Sequence, residues 1–181
     1  MCGIVGYAGN KKALNKILTG LKSLEYRGYD SAGIAYIKDD EIKIIKKEGP
    51  IKNLEENINY DEDTNIGISH TRWATHGEAN DINAHPHRQG KITLVHNGII
   101  ENYAEIKHNL QDKGVKFRSE TDTEVLVQLI DYFQTTYETE LHRVIIHGIL
   151  HLCGINDKGP GEREIMEAAE NKALDLLKDF Q

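Results

Sequence analysis

The second residue of the sequence, Cys2, combines a nucleophile with a base once Met1 is removed, which a small second residue permits. The new terminus would then carry a thiol and an α-amine on one residue. Since an α-amine has a pKa of about 7.7–8.0 and a free thiol one of about 8.5, the amine can accept the thiol proton near neutral pH. This arrangement favours nucleophilic catalysis by Cys2. The alternative is a small apolar residue that packs at the start of the chain.

Three further blocks carry groups that suit the same chemistry. Arg72 has a planar guanidinium that can hold a carboxylate with two hydrogen bonds, although an isolated arginine is more often a solvated surface residue. Trp73, which follows it, would by itself more often be a core residue. Asn97 and Gly98 place an amide side chain beside an unhindered backbone N–H, a pair that can stabilise an oxyanion, although Asn-Gly is also a common hairpin turn. Asp122 can pair with an ammonium group or simply begin a helix.

The elements that must position these residues alternate between strands and helices. Apolar alternation and short apolar runs predict strands, and apolar residues on one helical face predict helices. The strands are expected at residues 4–7, 34–37, 42–45, 66–71 and 92–95, with a turn at Asp39-Asp40, and the helices at 11–24 and 102–110. A further helix is expected to start at Thr121, with Glu124 in a capping-box position. After Phe133 only helices are predicted, at 138–152 and 162–180, joined by a loop at 155–161.

Six motifs in order resemble the glutaminase domain of glutamine–fructose-6-phosphate aminotransferases. They are MCGIVGY, LEYRGYDSAGIA, HTRWATHG, NAHPH, VHNGIIENY and SETDTEV, and they span residues 1 to about 133. The resemblance implies a nucleophile at Cys2 and an oxyanion hole at Asn97 and Gly98. It also implies a glutamine pocket, in which Arg72 binds the α-carboxylate, Asp122 the α-ammonium, Thr75 and His76 line the wall, and Trp73 belongs to a mobile loop. Arg27 of the YRG motif is given a supporting role.

A second constellation has the spacing of metal ligands. His147 and His151 are four residues apart and share one helix face, and a turn at Gly154 can bring Asp157 beneath them. Three ligands with an open fourth position describe a catalytic zinc site. The H-x-x-x-H-x-x-G-x-x-D spacing is that of metzincins, but Gly148 replaces the glutamate that serves as general base, which disfavours peptide hydrolysis. The alternative is two histidines on a packed helix.

The segment ELHRVIIHGILHLCGINDK resembles the C-terminal end of the bacterial rRNA-maturation endoribonuclease family (YbeY-type), over residues 137–181. That family more often has a histidine as third ligand, where this sequence has Asp157. The resemblance implies a zinc hydrolase that acts on single-stranded RNA, with rRNA or the ribosome as partner. The glutaminase resemblance implies no cofactor, whereas the endoribonuclease resemblance implies that the C-terminal segment can bind Zn²⁺.

Composition restricts the remaining possibilities. The 181 residues carry a net charge of −7 with both signs mixed, which argues against a general binder of the phosphate backbone. No window approaches the apolar length of a membrane span, and no secretory signal is evident, so we expect no membrane contact. Two cysteines, Cys2 and Cys153, do not make a disulfide framework, which favours the cytoplasm.

These observations predict an α/β (α+β) chain: a partial Ntn-hydrolase αββα sandwich followed by a helical metal-binding tail. The expected domains are a truncated type 2 glutamine amidotransferase domain at 1–133 and a helical zinc-site fragment at 134–181. The expected function is release of ammonia from L-glutamine by Cys2, without a sugar-isomerase domain. The alternatives are zinc-dependent RNA cleavage through His147, His151 and Asp157, or an inactive chimera of two truncated families. The sequence does not predict the oligomeric state.

Overall fold

The computed structural model describes residues 2–62, 64–74, 77–152, 155, 158–159 and 161–178, apart from the side chains of 140–141, 144–145 and 147–152. The described chain forms a mixed α/β structure. Its strands are β1 (Gly3–Ala8), β2 (Ser31–Lys38), β3 (Glu41–Glu48), β4 (Ile66–Arg72), β5 (His87–Gln89) and β6 (Ile92–Leu94). Its helices are α1 (Ala13–Ser23), α2 (Ile51–Glu55), α3 (Tyr103–Asp112), α4 (Asp122–Leu152) and α5 (Glu162–Lys178). The chain divides into two compact units, 1–131 and 132–181.

The first unit is organised by a four-stranded antiparallel sheet in the order β1-β4-β2-β3. β2 and β3 are joined at Asp39 and Asp40, whose φ angles of 51° and 59° are typical of a tight hairpin turn. β5 and β6 pair separately as a short hairpin. The predicted strands at 34–37, 42–45 and 66–71 are thus confirmed within slightly longer elements.

The core lies on the face of this sheet that is covered by α1 and α2. Leu14, Ile17, Leu18 and Leu21 of α1 are buried against apolar residues of β2 such as Ile34. Because successive residues of a strand point to opposite faces, Gly33 and its partner His70 lie on the other face. Arg72, two residues beyond His70, also points to this opposite face.

Helix α4 is longer than the sequence pattern predicted. An interruption was expected between Phe133 and Glu138, but α4 is continuous through this stretch. Within this stretch the hydroxyl of Thr136 donates to the Tyr132 carbonyl at 2.7 Å and that of Thr139 donates to the Thr135 carbonyl at 2.8 Å, so both hydroxyls bond within the helix itself. The predicted break was wrong because loss of apolar periodicity does not by itself end a helix.

In the second unit, Arg143 of α4 donates to the carboxylate of Glu170 and the side-chain oxygen of Asn171 in α5, at 3.2 and 3.0 Å. Met166 is buried in α5. Among the residues that the structure describes, no helix combines the length and the apolar character needed to cross a membrane.

Candidate active site

Cys2 lies immediately before β1 and is held by three neighbouring residues. The Trp73 N–H donates to its Sγ at 3.4 Å. Its carbonyl accepts hydrogen bonds from Arg27 Nε at 3.1 Å and from Asn97 Nδ2 at 3.4 Å. The next residue, Gly3, pairs with Thr71 in the sheet, and its N–H donates to the Thr71 hydroxyl at 3.1 Å. The thiol is partly exposed, and the Trp73 backbone N–H is directed at its sulfur.

Arg72, at the end of β4, is buried rather than solvated, with 4% of its surface exposed. Its two terminal nitrogens donate to the carbonyls of Glu78 and Gly77, at 3.1 and 3.2 Å. Burial lowers the pKa of the guanidinium, while the carboxylates of Asp30 and Asp122 and the nearby Cys2 act in the opposite direction. The surface alternative for Arg72 is therefore wrong, and a fixed cation lies at the strand end.

Asn97 and Gly98 lie in the segment between β6 and α3 and are exposed. The hairpin alternative is wrong for this pair, because β6 already ends at Leu94 and its hairpin turn lies at Gly90 and Lys91. A Cβ at position 98 would approach His96 Nε2 to 2.7 Å, so the absence of a side chain at Gly98 permits this contact. The Asn97 amide donates to the Cys2 carbonyl, and Gly98 lines the same cavity as Cys2.

Asp122 is the first residue of α4 and is buried. One carboxylate oxygen accepts from the Ile100 N–H at 2.9 Å, which ties the helix start to the segment that follows Gly98. The predicted capping box is present in altered form. Thr121 Oγ1 accepts from the Glu124 N–H at 3.3 Å, but the Glu124 carboxylate accepts from the Arg118 N–H at 2.8 Å, further upstream than expected.

These residues surround one cavity of about 280 Å³ in the first unit. Its lining brings together six of the sequence-predicted site residues: Cys2, Arg72, Trp73, Asn97, Gly98 and Asp122. Thr75 and His76 lie outside the described residues. Trp73 is 48% exposed and stacks edge-on against Tyr29 at 5.5 Å, so the core interpretation of this residue is wrong. The cavity can hold a small polar molecule between a nucleophile, a cation and an anion.

A cluster of buried histidines, for which the sequence predicts no role, packs around His70. The rings of His70 and His85 lie 4.3 Å apart, and His87 packs edge-on against His85 at 4.9 Å. Burial lowers the pKa of His70 to about 4 and that of His87 to about 3. The motifs HTRWATHG and NAHPH contain these residues, but no spacing rule predicts that they converge.

Gly28 and Asp30 of the LEYRGYDSAGIA motif were also missed. A Cβ on Gly28 would lie 2.6 Å from the carbonyl carbon and oxygen of Arg72. The Asp30 carboxylate accepts a short hydrogen bond from the Ala74 N–H. Gly28 and Asp30 therefore pack against the backbone of residues 72–74. This contact could not be predicted from the motif alone, because it depends on how β2 pairs with β4.

The predicted metal ligands are not in the described part of the chain: the side chains of His147 and His151 and the whole of Asp157 lie outside it, as does Cys153. Within the described residues, no three His, Cys, Asp or Glu side chains are grouped as metal ligands. The metal site remains a prediction.

The chain belongs to the glutamine amidotransferase domain family, because the model of that family matches residues 42–142, more than half of the chain. A second model, Endoribonuclease YbeY, matches residues 122–178. The two matches overlap at 122–142, so they do not define a sharp boundary.

Individual relatives agree with this family. Glutamine–fructose-6-phosphate aminotransferase [isomerizing] of Clostridium perfringens is 50% identical over 157 residues, which cover 85% of this chain and 25% of that protein. The enzyme of the same name from Staphylococcus epidermidis is 49% identical over 182 aligned positions, covering 96% of this chain and 30% of that protein. The chain thus spans between a quarter and a third of these relatives. Both alignments include residues after 133.

A solved glutamine phosphoribosylpyrophosphate amidotransferase from B. subtilis superposes with a TM-score of 0.62 and 29% identity. The match covers 72% of this chain and 29% of that one. The similarity therefore extends to the fold.

Proposed function

We propose that this chain is the front part of a glutaminase that releases ammonia from L-glutamine, with Cys2 as the nucleophile. The observation that carries the proposal is that Cys2, Arg72, Asn97, Gly98 and Asp122 line the same cavity. The proposal is supported by membership of the glutamine amidotransferase domain family. It needs no cofactor, because the chain's own thiol, α-amine and hydrogen-bond donors would supply the nucleophile, the base and the charge stabilisation.

In the proposed reaction, the Cys2 sulfur attacks the side-chain amide carbon of glutamine. The α-amine that is exposed by removal of Met1 takes the thiol proton and later gives it to the leaving nitrogen. Ammonia departs and leaves a thioester. Water then attacks this thioester, so that glutamate is released and the thiol is restored.

The negative charge that develops on the amide oxygen needs donors that are already in place. Asn97 Nδ2 and the Gly98 N–H are proposed for this role. In the structure the Asn97 amide donates to the Cys2 carbonyl at 3.4 Å, a long hydrogen bond that a substrate oxygen can replace. Loss of one such donor typically costs about 10²–10³-fold in kcat.

The two charged residues would select the amino-acid end of the substrate. Arg72 is proposed to bind the α-carboxylate and Asp122 the α-ammonium, with Thr75 and His76 on the same wall and Trp73 on a mobile loop over it. Arg72 is held by two backbone carbonyls and Asp122 by the Ile100 N–H, so both charges are fixed before substrate arrives. Preorganised charges lower the cost of orienting a small ligand.

For the architecture, we propose that residues 1–133 form a truncated αββα sandwich and residues 134–181 a helical segment with a zinc site at His147, His151 and Asp157. The ligand spacing and the match at 122–178 support the second part. We do not extend this proposal to RNA cleavage. Two of the few basic residues of the tail are paired with acids, Arg143 with Glu170 and Arg163 with Glu167.

The test is production of glutamate and ammonia from L-glutamine by purified chain whose intact mass shows loss of Met1. Wild type should produce both in equal amounts without forming an amino sugar from fructose 6-phosphate, and Cys2→Ser should produce neither. Folding of both proteins is compared by circular dichroism. A folded wild type with a free Cys2 terminus and no glutamate production would refute the proposal.

A further inference from the structure

Two buried histidines lie directly behind the proposed oxyanion donors. His70, in β4, is 1% exposed, and His85 is 5% exposed. Their rings lie face to face with centroids 4.3 Å apart and planes tilted by 32°. Both line the inner wall of the cavity, although the proposed reaction gives neither ring a proton to transfer.

Each ring contacts a different polar atom of the His96 backbone. The His96 N–H donates to His85 Nδ1 at 3.4 Å, and His70 Nε2 lies 3.1 Å from the His96 carbonyl oxygen. A carbonyl only accepts and an amide N–H only donates. His70 must therefore carry a proton on Nε2, and His85 must have an unprotonated Nδ1 and, as a neutral ring, a proton on Nε2.

We propose that His70 and His85 are positioning residues that fix the backbone of His96 and thereby orient the Asn97 amide and the Gly98 N–H towards the developing oxyanion. The carbonyl of His96 belongs to the same planar peptide group as the Asn97 nitrogen, so a hydrogen bond to one fixes the plane of the other. This inference rests on the proposed function for its catalytic consequence, whereas the hydrogen bonds themselves do not depend on it.

The surroundings hold this arrangement from both sides. A Cβ at Gly33 would lie 2.0 Å from the His85 carbonyl oxygen, so β2 packs against His85 without an intervening side chain. The His96 ring is held as well, because its Nδ1 lies 3.4 Å from Thr123 Oγ1 at the start of α4. His96 is therefore contacted both by the sheet, through His70, and by α4, through Thr123.

Burial also keeps the two rings in the required state. It lowers the pKa of His70 to about 4 and lowers the pKa of His85 far below its usual range. A protonated His85 would lose the lone pair that accepts the His96 N–H. Among the residues that the structure describes, buried His70 Nδ1 has no hydrogen-bond partner, as expected of a neutral ring that carries its proton on Nε2.

The kinetic test compares apolar and polar replacements at both positions. His70→Leu and His85→Leu remove the hydrogen bonds, whereas His70→Gln retains a donor near Nε2 and His85→Asn an acceptor near Nδ1. We expect the leucine variants to lose about 10- to 100-fold in kcat for glutamine hydrolysis while KM changes less than about twofold, because the oxyanion forms only in the transition state. The polar variants should recover most of the loss. His108→Leu, at an exposed histidine of α3, is the matched control.

A spectroscopic test on the wild type does not require activity or a variant that folds. Imidazole ¹⁵N chemical shifts should identify both rings as neutral with the proton on Nε2 at every pH between about 5.5 and 8. An Nδ1–H form of His85, a charged ring in that range, or equal kcat losses in the leucine and polar variants would overturn the positioning role. A folded wild type with the expected spectra but no glutamate production would instead refute the proposed function.

Discussion

Replacing Gly28 by alanine tests whether the glycine of the YRG motif positions the nucleophile. A Cβ at this position would lie 2.6 Å from the carbonyl carbon and oxygen of Arg72 and 2.9 Å from the nitrogen of Trp73. All three are backbone atoms, so no side-chain rotation relieves the contact. An ordinary separation of 3.4 Å or more requires the two segments to move apart by about 0.8 Å.

This displacement affects the site directly. The Trp73 N–H donates to Cys2 Sγ at 3.4 Å, and the Arg72 carbonyl accepts from the Asp30 N–H at 3.3 Å. Overpacking of this kind costs about 1–3 kcal/mol in the free energy of unfolding. A shift approaching 1 Å at a catalytic group can cost about 10²-fold in rate, so we expect kcat/KM for glutamine to fall about 10- to 100-fold.

The assay is glutamate production at several glutamine concentrations, measured well below the melting temperature of each variant. Gly6→Ala is the matched control: it makes the same glycine-to-alanine change in β1, but its Cβ would lie 3.8 Å from the nearest atom, Ile68 Cγ2. We expect this control to keep its activity and to be stabilised by up to about 1 kcal/mol. If Gly28→Ala hydrolysed glutamine as well as Gly6→Ala does, the contact with the Arg72–Trp73 backbone would have no functional consequence.

Four other predictions concern single residues. Arg72→Lys should raise the KM for glutamine, because an ammonium cannot reproduce the planar fork; an unchanged KM in initial-rate assays would contradict this. A glutamine-like electrophile should label Cys2 in the processed chain and spare Cys153, and peptide mapping by mass spectrometry that found equal labelling would count against an assembled site. The pKa of His70 falls from 6.5 to about 4, so the unfolded chain takes up a proton that the folded chain refuses. The contribution of neutral His70 to the free energy of unfolding should be complete above about pH 6.5 and decline towards pH 4 by up to about 1.4 kcal/mol per pH unit. Denaturant melts at several pH values should show that the free energy of unfolding of His70→Gln depends less steeply on pH. Zinc titration should show weaker Zn²⁺ binding by His147→Ala than by wild type. Equal binding by the two proteins would contradict the metal site and favour the alternative of two histidines on a packed helix.

The sequence predicted the regular elements of the first unit because their apolar periodicity is strong. The buried stripe of α1 and the hairpin at Asp39-Asp40 are examples. The three-residue strand β5 was missed because His87–Gln89 is polar and has no apolar alternation. The continuity of α4 was missed because its middle is polar, and a sequence without apolar periodicity can still continue a helix.

The candidate site was predictable only where a motif was recognised. That recognition marked Cys2, Arg72 and Asn97, and the structure brings all three to one cavity. The buried histidines were not assigned roles, because a histidine in a sequence does not reveal whether it is solvated or stacked. The close contact at Gly28 depends on strand pairing, which local patterns do not determine.

The register of β4 explains how one strand can serve two parts of the proposed site. His70 and Arg72 are two residues apart and lie on one face, where the first contacts the His96 backbone and the second presents a fixed cation. Thr71 between them points to the other face and accepts the Gly3 N–H, one residue after the nucleophile. A slip of one residue would turn His70 and Arg72 towards the core and separate Cys2 from both, since side chains alternate along a strand. The Thr71–Gly3 contact therefore stabilises the register in which Cys2, Arg72 and the proposed oxyanion donors lie around the same cavity.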